Sequence, residues 1–273
     1  MITPLVVGEF LAGKAPVVDV RSPGEFRQGH IPGAHNLPLF DNAERAVVGT
    51  LYKQQGRDQA VLEGLRIVGP KLAGIVETCQ GLAPDGHIRV HCWRGGERSG
   101  SVAWLLDKAG FARVDVLRGG YKAFRILVLE SFNSPPPLKV LGGYTGTGKQ
   151  VIDLEGLAHH KGSSFGALGE LPQPSTEHFE NLLWKAVQDL SRTRPTWVED
   201  ESLMIGRVRI PGPFFEAMRR STLYFGDMPI EERADRLVVD YGRFPKEELA
   251  EAVRRLDKRL GPQPRRAALR ALE

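Results

Sequence analysis

Cysteine is scarce: 273 residues hold two, Cys79 and Cys92. So small a count frames no disulfide scaffold and fits a reducing compartment, the cytoplasm. Long apolar runs are missing as well. No stretch approaches the ~20 apolar residues that span a bilayer, so no membrane partner is expected. The opening residues carry no basic leader, and Glu9 and Lys14 interrupt their apolar positions, so they read as part of the fold. Clustered metal ligands are also lacking. His159 and His160 are adjacent, a poor spacing for one ion, and no other Cys or His group completes a site. No metal is expected. Nor is the charge lopsided: 37 basic against 33 acidic residues give a formal net charge of +4. That permits a nucleic-acid partner without demanding one. No internal repeat or low-complexity tract is visible.

What is present fits a two-domain globular chain. APVVDV, IRVHC and ARVDVL read as buried strands. Leu72, Ile75, Val76 and Cys79, then Val102, Leu105, Leu106 and Ala109, follow the three-four spacing of helix faces. Strands alternating with helices predict a parallel α/β sheet. Pro135, Pro136 and Pro137 then stop any helix, which places a linker near residues 131–138. The domains expected are 1–133 and 134–273. In the second, LKVLGG, QVIDL and PTWVED read as strands before a mostly helical end.

In an open α/β sheet, ligands bind where strands end and helices begin. Cys92 stands at such a point, in HCWRGGERSG. The backbone amides of Trp93, Arg94, Gly95, Gly96, Glu97, Arg98 and Ser99 can curl into an anion cradle at the positive end of the following helix. The arginines add charge, and Arg98 adds a planar fork suited to an oxyanion. These features favour a thiolate and predict that Cys92 is a nucleophile carrying a transferred group beside a bound anion. Cys79, on an apolar stripe, reads as structural. His91 precedes Cys92 in a strand, points the other way, and reads as structural too.

LKVLGGYTGTGK matches the phosphate-binding loop pattern after a strand, with Gly143, Gly146, Gly148 and Lys149 facing phosphates. It departs twice. Gln150 replaces the Ser or Thr that holds Mg²⁺, and QVIDL follows where a helix should start. Asp200 ends a predicted strand, at the place of a magnesium-associated acid. Lys161, Ser163 and Ser164 offer further partners to a phosphate.

Cysteine, five residues, arginine and serine is also the signature of cysteine-dependent phosphatases, for which Glu97 is the one general-acid candidate in the loop. The flanks distinguish the readings. DVRSPGEFRQGHIPGAHNLP resembles the opening motif of rhodanese domains, and LRGGYKAF resembles their closing segment. In that motif Asp19, Arg21, Glu25, His30 and Pro32 are scaffold. Rhodanese loops that hold sulfur commonly have one residue fewer between Cys and Arg, so this cradle is larger, suited to phosphate or a selenium-bearing anion.

CWRGG joined to GGYTGTGK, DLEGLAHHKGSSFG, TEHFENLLW and VEDESLMIG resembles the tRNA 2-selenouridine synthase family over nearly the whole chain, and AERAVVGTLYKQQG is similar to that family too. The resemblance implies an enzyme acting on wobble 2-thiouridine of tRNA. Sulfur is replaced by selenium from selenophosphate, through a base geranylated from geranyl diphosphate. Both are co-substrates, and no tightly bound cofactor is expected. Cys92 would carry selenium as a perselenide. tRNA is the implied partner, with a selenophosphate-supplying enzyme as a second, and residues 47–56 contribute to the prenyl site. Relatives continue past RRAALRALE. The competing reading is a rhodanese-type sulfurtransferase whose incomplete second domain has lost tRNA activity. A non-catalytic tRNA- or protein-binding relative is a further one.

Overall fold

Short runs rich in Val and Ile become strands where helices cover both faces of a sheet. The computed structural model describes residues 1–142, 150–256 and 261–272, in two compact units, 1–130 and 131–273. Among the described residues no helix is long and apolar enough to cross a membrane.

The first unit runs β1 (Ile2–Leu5), α1 (Val7–Ala12), β2 (Val17–Asp19), α2 (Pro23–Gln28), β3 (His35–Asn36), α3 (Asn42–Gln55), α4 (Arg57–Val68), α5 (Leu72–Leu82), β4 (His87–His91), α6 (Glu97–Lys108), β5 (Arg113–Leu117) and α7 (Gly120–Ser131). Its sheet has the order β1-β5-β4-β2-β3, all parallel. The expected parallel α/β sheet is there, with β4 at its centre. Ile88 and Val90 of β4 pack with Val18 and Val114, and with Ile75, Cys79, Val102 and Leu106 from the helices. Cys79 is fully buried, and that burial pushes its thiol up to about 11, so it stays protonated. Proline at the start of α2 and a reciprocal Ser22–Glu25 capping box fix that helix just after β2.

The second unit contains β6 (Leu138–Gly142), β7 (Val151–Ile152), α8 (Leu154–Ala158), α9 (Thr176–Gln188), β8 (Thr196–Glu199), β9 (Met204–Ile205), β10 (Val208–Arg209), α10 (Gly212–Arg220), β11 (Leu223–Phe225), α11 (Ile230–Tyr241), α12 (Lys246–Arg255) and α13 (Pro262–Leu272). Four parallel strands take the order β11-β6-β8-β7, and β9 pairs β10 antiparallel. Val140, Ile152 and Val198 of the sheet are buried with Phe179, Leu183, Phe214 and Met218 of the helices. The three strands expected from sequence form here. A fourth, β11, does not follow from the pattern: its Leu-Tyr-Phe is exposed at the sheet edge, so no alternation marks it.

Candidate active site

Central position in the sheet sets the site of the first unit. The last residue of β4, His91, pairs with Asp19 of β2, and its carbonyl accepts from Val20 N–H at 3.0 Å. The chain then leaves the sheet at Cys92, passes Trp93–Gly96, and enters α6 at Glu97. Two bonds tie this loop to the start of α7: Tyr121 N–H donates to the Cys92 carbonyl at 2.8 Å, and Lys122 N–H to that of Trp93 at 2.9 Å. The close approach needs glycine. Gly95 has φ +68°, and a Cβ there would lie 2.5 Å from the Leu117 carbonyl oxygen.

The thiol is less open than the loop suggests. Cys92 is 4% exposed, its Sγ 3.2 Å from Ser99 Oγ, and Ser99 is itself fully buried. Ser99 Oγ also donates to the Gly96 carbonyl at 3.2 Å. Thiol and hydroxyl therefore meet at the first turn of α6, whose N-terminus carries no side-chain cap. Uncapped amides at a helix start favour an anion.

Beneath the loop lies a buried ionic plate. Arg21 Nη2 is 2.6 Å from Asp19 Oδ2, its Nε is 3.0 Å from Oδ1, and Nη2 donates to the Gly29 carbonyl at 2.7 Å. The guanidinium sits 3.8 Å from the Tyr121 ring centre and 5.9 Å from that of Trp93. His91 is wholly buried, 3.7 Å from Asp19 Oδ2, and burial drives its pKa down to about 4. It is neutral and part of this plate.

Two loop residues have ionic partners. Arg98, expected to offer its fork to an oxyanion, has Nη1 and Nη2 2.8 and 3.2 Å from the two carboxylate oxygens of Glu25. Glu97 is exposed and pairs with Arg57 at 2.7 Å, so it is held at the surface rather than over the thiol. Arg94 is exposed and Trp93 half-buried. Glu25, read from sequence as scaffold, thus touches the loop's signature arginine. Its place in the rhodanese-like motif marked it as scaffold and gave no sign of this contact.

Beside the loop an apolar groove of about 1020 Å³ opens between α3, α4 and α6. Val48, Tyr52, Leu65 and Trp104 line it, and Gly96 and Arg98 of the Cys92 loop form part of its wall. Tyr52, Leu65 and Trp104 are each more than half exposed. Apolar side chains held open to water in a groove beside the Cys92 loop suit an apolar ligand.

In the second unit, Gly143, Gly146, Gly148 and Lys149 lie outside the described residues. Asp200, just beyond β8, lies in the wall of a cavity of this unit. Its carboxylate meets Arg219 at 2.5 Å. The neighbouring Glu199 is buried and accepts from Leu154 N–H at 2.9 Å. Around that cavity, of about 870 Å³, it joins Glu155 and Glu201, with Asp153, Lys161 and Arg233 also in the wall. Lys161 faces Glu170 at 3.5 Å, and Ser163 Oγ accepts from Phe165 N–H at 3.2 Å. Among the described residues no group of His, Cys, Asp and Glu has the arrangement to hold a metal ion. The sequence pattern missed this trio because nothing local announces that like charges will be gathered.

Burial, then the hydrogen bond and charge of Glu201, raise Glu155 to about 7, and burial raises Glu199 to about 7. Glu201 is raised as well, burial again first. A carboxyl whose folded pKa lies above its unfolded value near 4.5 binds its proton more tightly in the native state. Stability from these groups is full below that unfolded value and is lost as pH rises through about 7. Hydrogen exchange of the β8 amides, corrected for intrinsic rates, is expected to show easier opening at pH 8 than at pH 6. The Glu155→Gln variant should flatten that trend.

Similarity to known proteins covers both units. Residues 7–126 match the model of the rhodanese-like domain, and residues 136–269 match that of the tRNA 2-selenouridine synthase AAA domain. The chain is 38% identical over 245 residues to the tRNA 2-selenouridine synthase of Nitrosomonas eutropha, covering 83% of this chain and 63% of that protein. Its likeness to that of Bdellovibrio bacteriovorus is 41% over 251 residues, 83% of this chain and 64% of the relative. For that of Aeromonas salmonicida it is 38% over 289 residues, 92% and 76%. The chain thus spans less than two thirds of the length of the first two of these relatives.

Proposed function

The chain belongs to the tRNA 2-selenouridine synthase family, and from that premise we propose that it replaces the sulfur of 2-thiouridine in tRNA by selenium. Selenophosphate is the donor and Cys92 the nucleophile: the thiolate displaces geranyl thiol from C2 of the base, the selenium of selenophosphate then displaces the thiolate, and water takes the phosphoryl group as phosphate, with no oxidant required. The observation that carries this reading is the Cys92 thiol at the uncapped N-terminus of α6, next to an apolar groove.

The parts divide the work by chemistry. The amides and arginines from Trp93 to Ser99 receive the phosphate of selenophosphate, which places selenium beside Sγ. Ser99 Oγ, 3.2 Å away, turns its single proton from the Gly96 carbonyl to the thiolate and holds it in position. The groove takes the apolar chain of a geranylated 2-thiouridine, formed from geranyl diphosphate, while the base meets Cys92. A prenyl chain buries its carbons best against Val48, Leu65 and Trp104, and water is displaced from those side chains as it does so. The basic side chains neutralise tRNA phosphates, and binding weakens as salt rises. A selenophosphate-supplying enzyme is the second partner of this reading.

Nucleoside mass spectrometry of 2-thiouridine tRNA incubated with the protein and both co-substrates tests the reading through its product. The groove has its own test. Leu65 is 65% exposed, so Leu65→Asp leaves the fold intact. We expect the KM for geranyl diphosphate to rise about tenfold or more, the worth of one buried leucine. Phosphate binding at the Cys92 loop should stay as it was. An unchanged KM would move the prenyl chain elsewhere.

A further inference from the structure

Glu25 is the carboxylate nearest the arginine of the Cys92 loop, and its surroundings assign it more than a cap. Its two oxygens lie 2.8 and 3.2 Å from Arg98 Nη1 and Nη2. Oε2 also accepts from Ser22 N–H at 3.1 Å and lies 3.8 Å from Arg45 Nε. Both Arg98 and Glu25 are largely buried, with side chains 22% and 19% exposed. Arg45, on α3, is about half exposed and free to approach. A capping box at this position works with either Glu or Gln. The cap alone therefore gives no reason for a charge, and the charge is spent on Arg98.

We propose that Glu25 is a resident counter-ion of the Cys92 loop, a positioning residue that occupies Arg98 until a phosphate-bearing anion docks and then turns to Arg45. This rests on the reading of the loop as an anion cradle. A guanidinium has five N–H donors, and Glu25 uses one on each Nη, leaving Nε–H and the remaining Nη protons for an oxyanion. Positioned this way, Arg98 already faces a partner of carboxylate geometry, so an incoming phosphate meets a fork with little left to order. The counter-ion sets the affinity. An arginine already neutralised binds an anion less strongly than a bare one, and the carboxylate repels the dianion. A loop that takes a phosphate-bearing donor must also release phosphate, and moderate affinity serves both steps.

A purely structural Glu25 makes the opposite prediction, because losing a brace on Arg98 can only weaken anion binding. The test is inorganic phosphate binding to the full chain by calorimetry, for the native protein, Glu25→Gln and Arg45→Ala. Glu25→Gln keeps the cap and a hydrogen-bond acceptor for Arg98 and removes only the charge. Phosphate should bind about tenfold tighter to it. Arg45→Ala removes the alternate partner of Glu25 from an exposed position. Phosphate should bind it about twofold to fivefold more weakly, the size of an exposed ion pair. Equal or weaker binding by Glu25→Gln, or no phosphate binding by any of the three proteins, overturns the proposal. Selenouridine formation by the native protein is scored separately, so failure of the counter-ion and failure of the proposed reaction are told apart.

Discussion

Cys92→Ser is expected to abolish 2-selenouridine formation, by at least about 10³-fold, while leaving the fold and tRNA binding unchanged. The size follows from what a nucleophile does. Serine keeps the volume and the hydrogen bond to Ser99, but its oxygen is not ionised near neutrality and is both a weaker nucleophile and a poorer leaving group than a thiolate. No neighbour replaces it. Cys79 is buried on another face with its thiol pushed up to about 11, and His91 is neutral and set in the plate beneath the loop. In the proposed reaction geranylation uses no thiol and should survive. The variant is therefore expected to accumulate the geranylated base, and nucleoside mass spectrometry reads both species at once. Selenouridine at native levels would remove Cys92 from the mechanism.

The second large effect is on stability. Asp19 and Arg21 are 0% and 1% exposed, and each meets the other's charge at 2.6 Å. Replacing Arg21 by Met strands a carboxylate in the interior of the first unit. Breaking a buried pair from one side costs about 3–5 kcal/mol, a fall in Tm on the order of 10 °C for a unit of this size. The double variant Asp19→Asn with Arg21→Met should recover part of the loss, because the stranded charge is gone. Thermal unfolding of the three proteins checks both statements. A loss below about 1 kcal/mol would mean that water reaches Asp19 and that the plate is not sealed. Arg21 also stacks under Tyr121, whose amide holds the Cys92 carbonyl, so the loop should loosen before the unit unfolds.

The core of this fold was readable because buried parallel strands are continuous apolar runs. APVVDV, IRVHC and ARVDVL became the three inner strands β2, β4 and β5. Edges were not readable. β1 alternates between exposed and half-buried residues, and β11 is exposed throughout, so neither carries the signal of a core strand. The loop around Cys92 was legible as a local motif of glycines, arginines and a helix start. Its partners were not. Glu25 and Arg98 are 73 residues apart, and only the sheet order brings α2 beside α6. In the second unit Asp200 and Glu199 both reach the cavity wall, Asp200 paired with Arg219 of α10 and Glu199 buried against Leu154 N–H of α8, contacts that no local pattern announces.

The most direct measurement gives the protein 2-thiouridine tRNA, geranyl diphosphate and selenophosphate, and leaves out one co-substrate in each control. Nucleosides are then read by mass spectrometry. The account predicts 2-selenouridine in the complete mixture, the geranylated base when selenophosphate is withheld, and unchanged 2-thiouridine when geranyl diphosphate is withheld. Unchanged 2-thiouridine in every mixture, from a protein whose Cys92 still takes sulfur from thiosulfate, would contradict it and leave a sulfurtransferase.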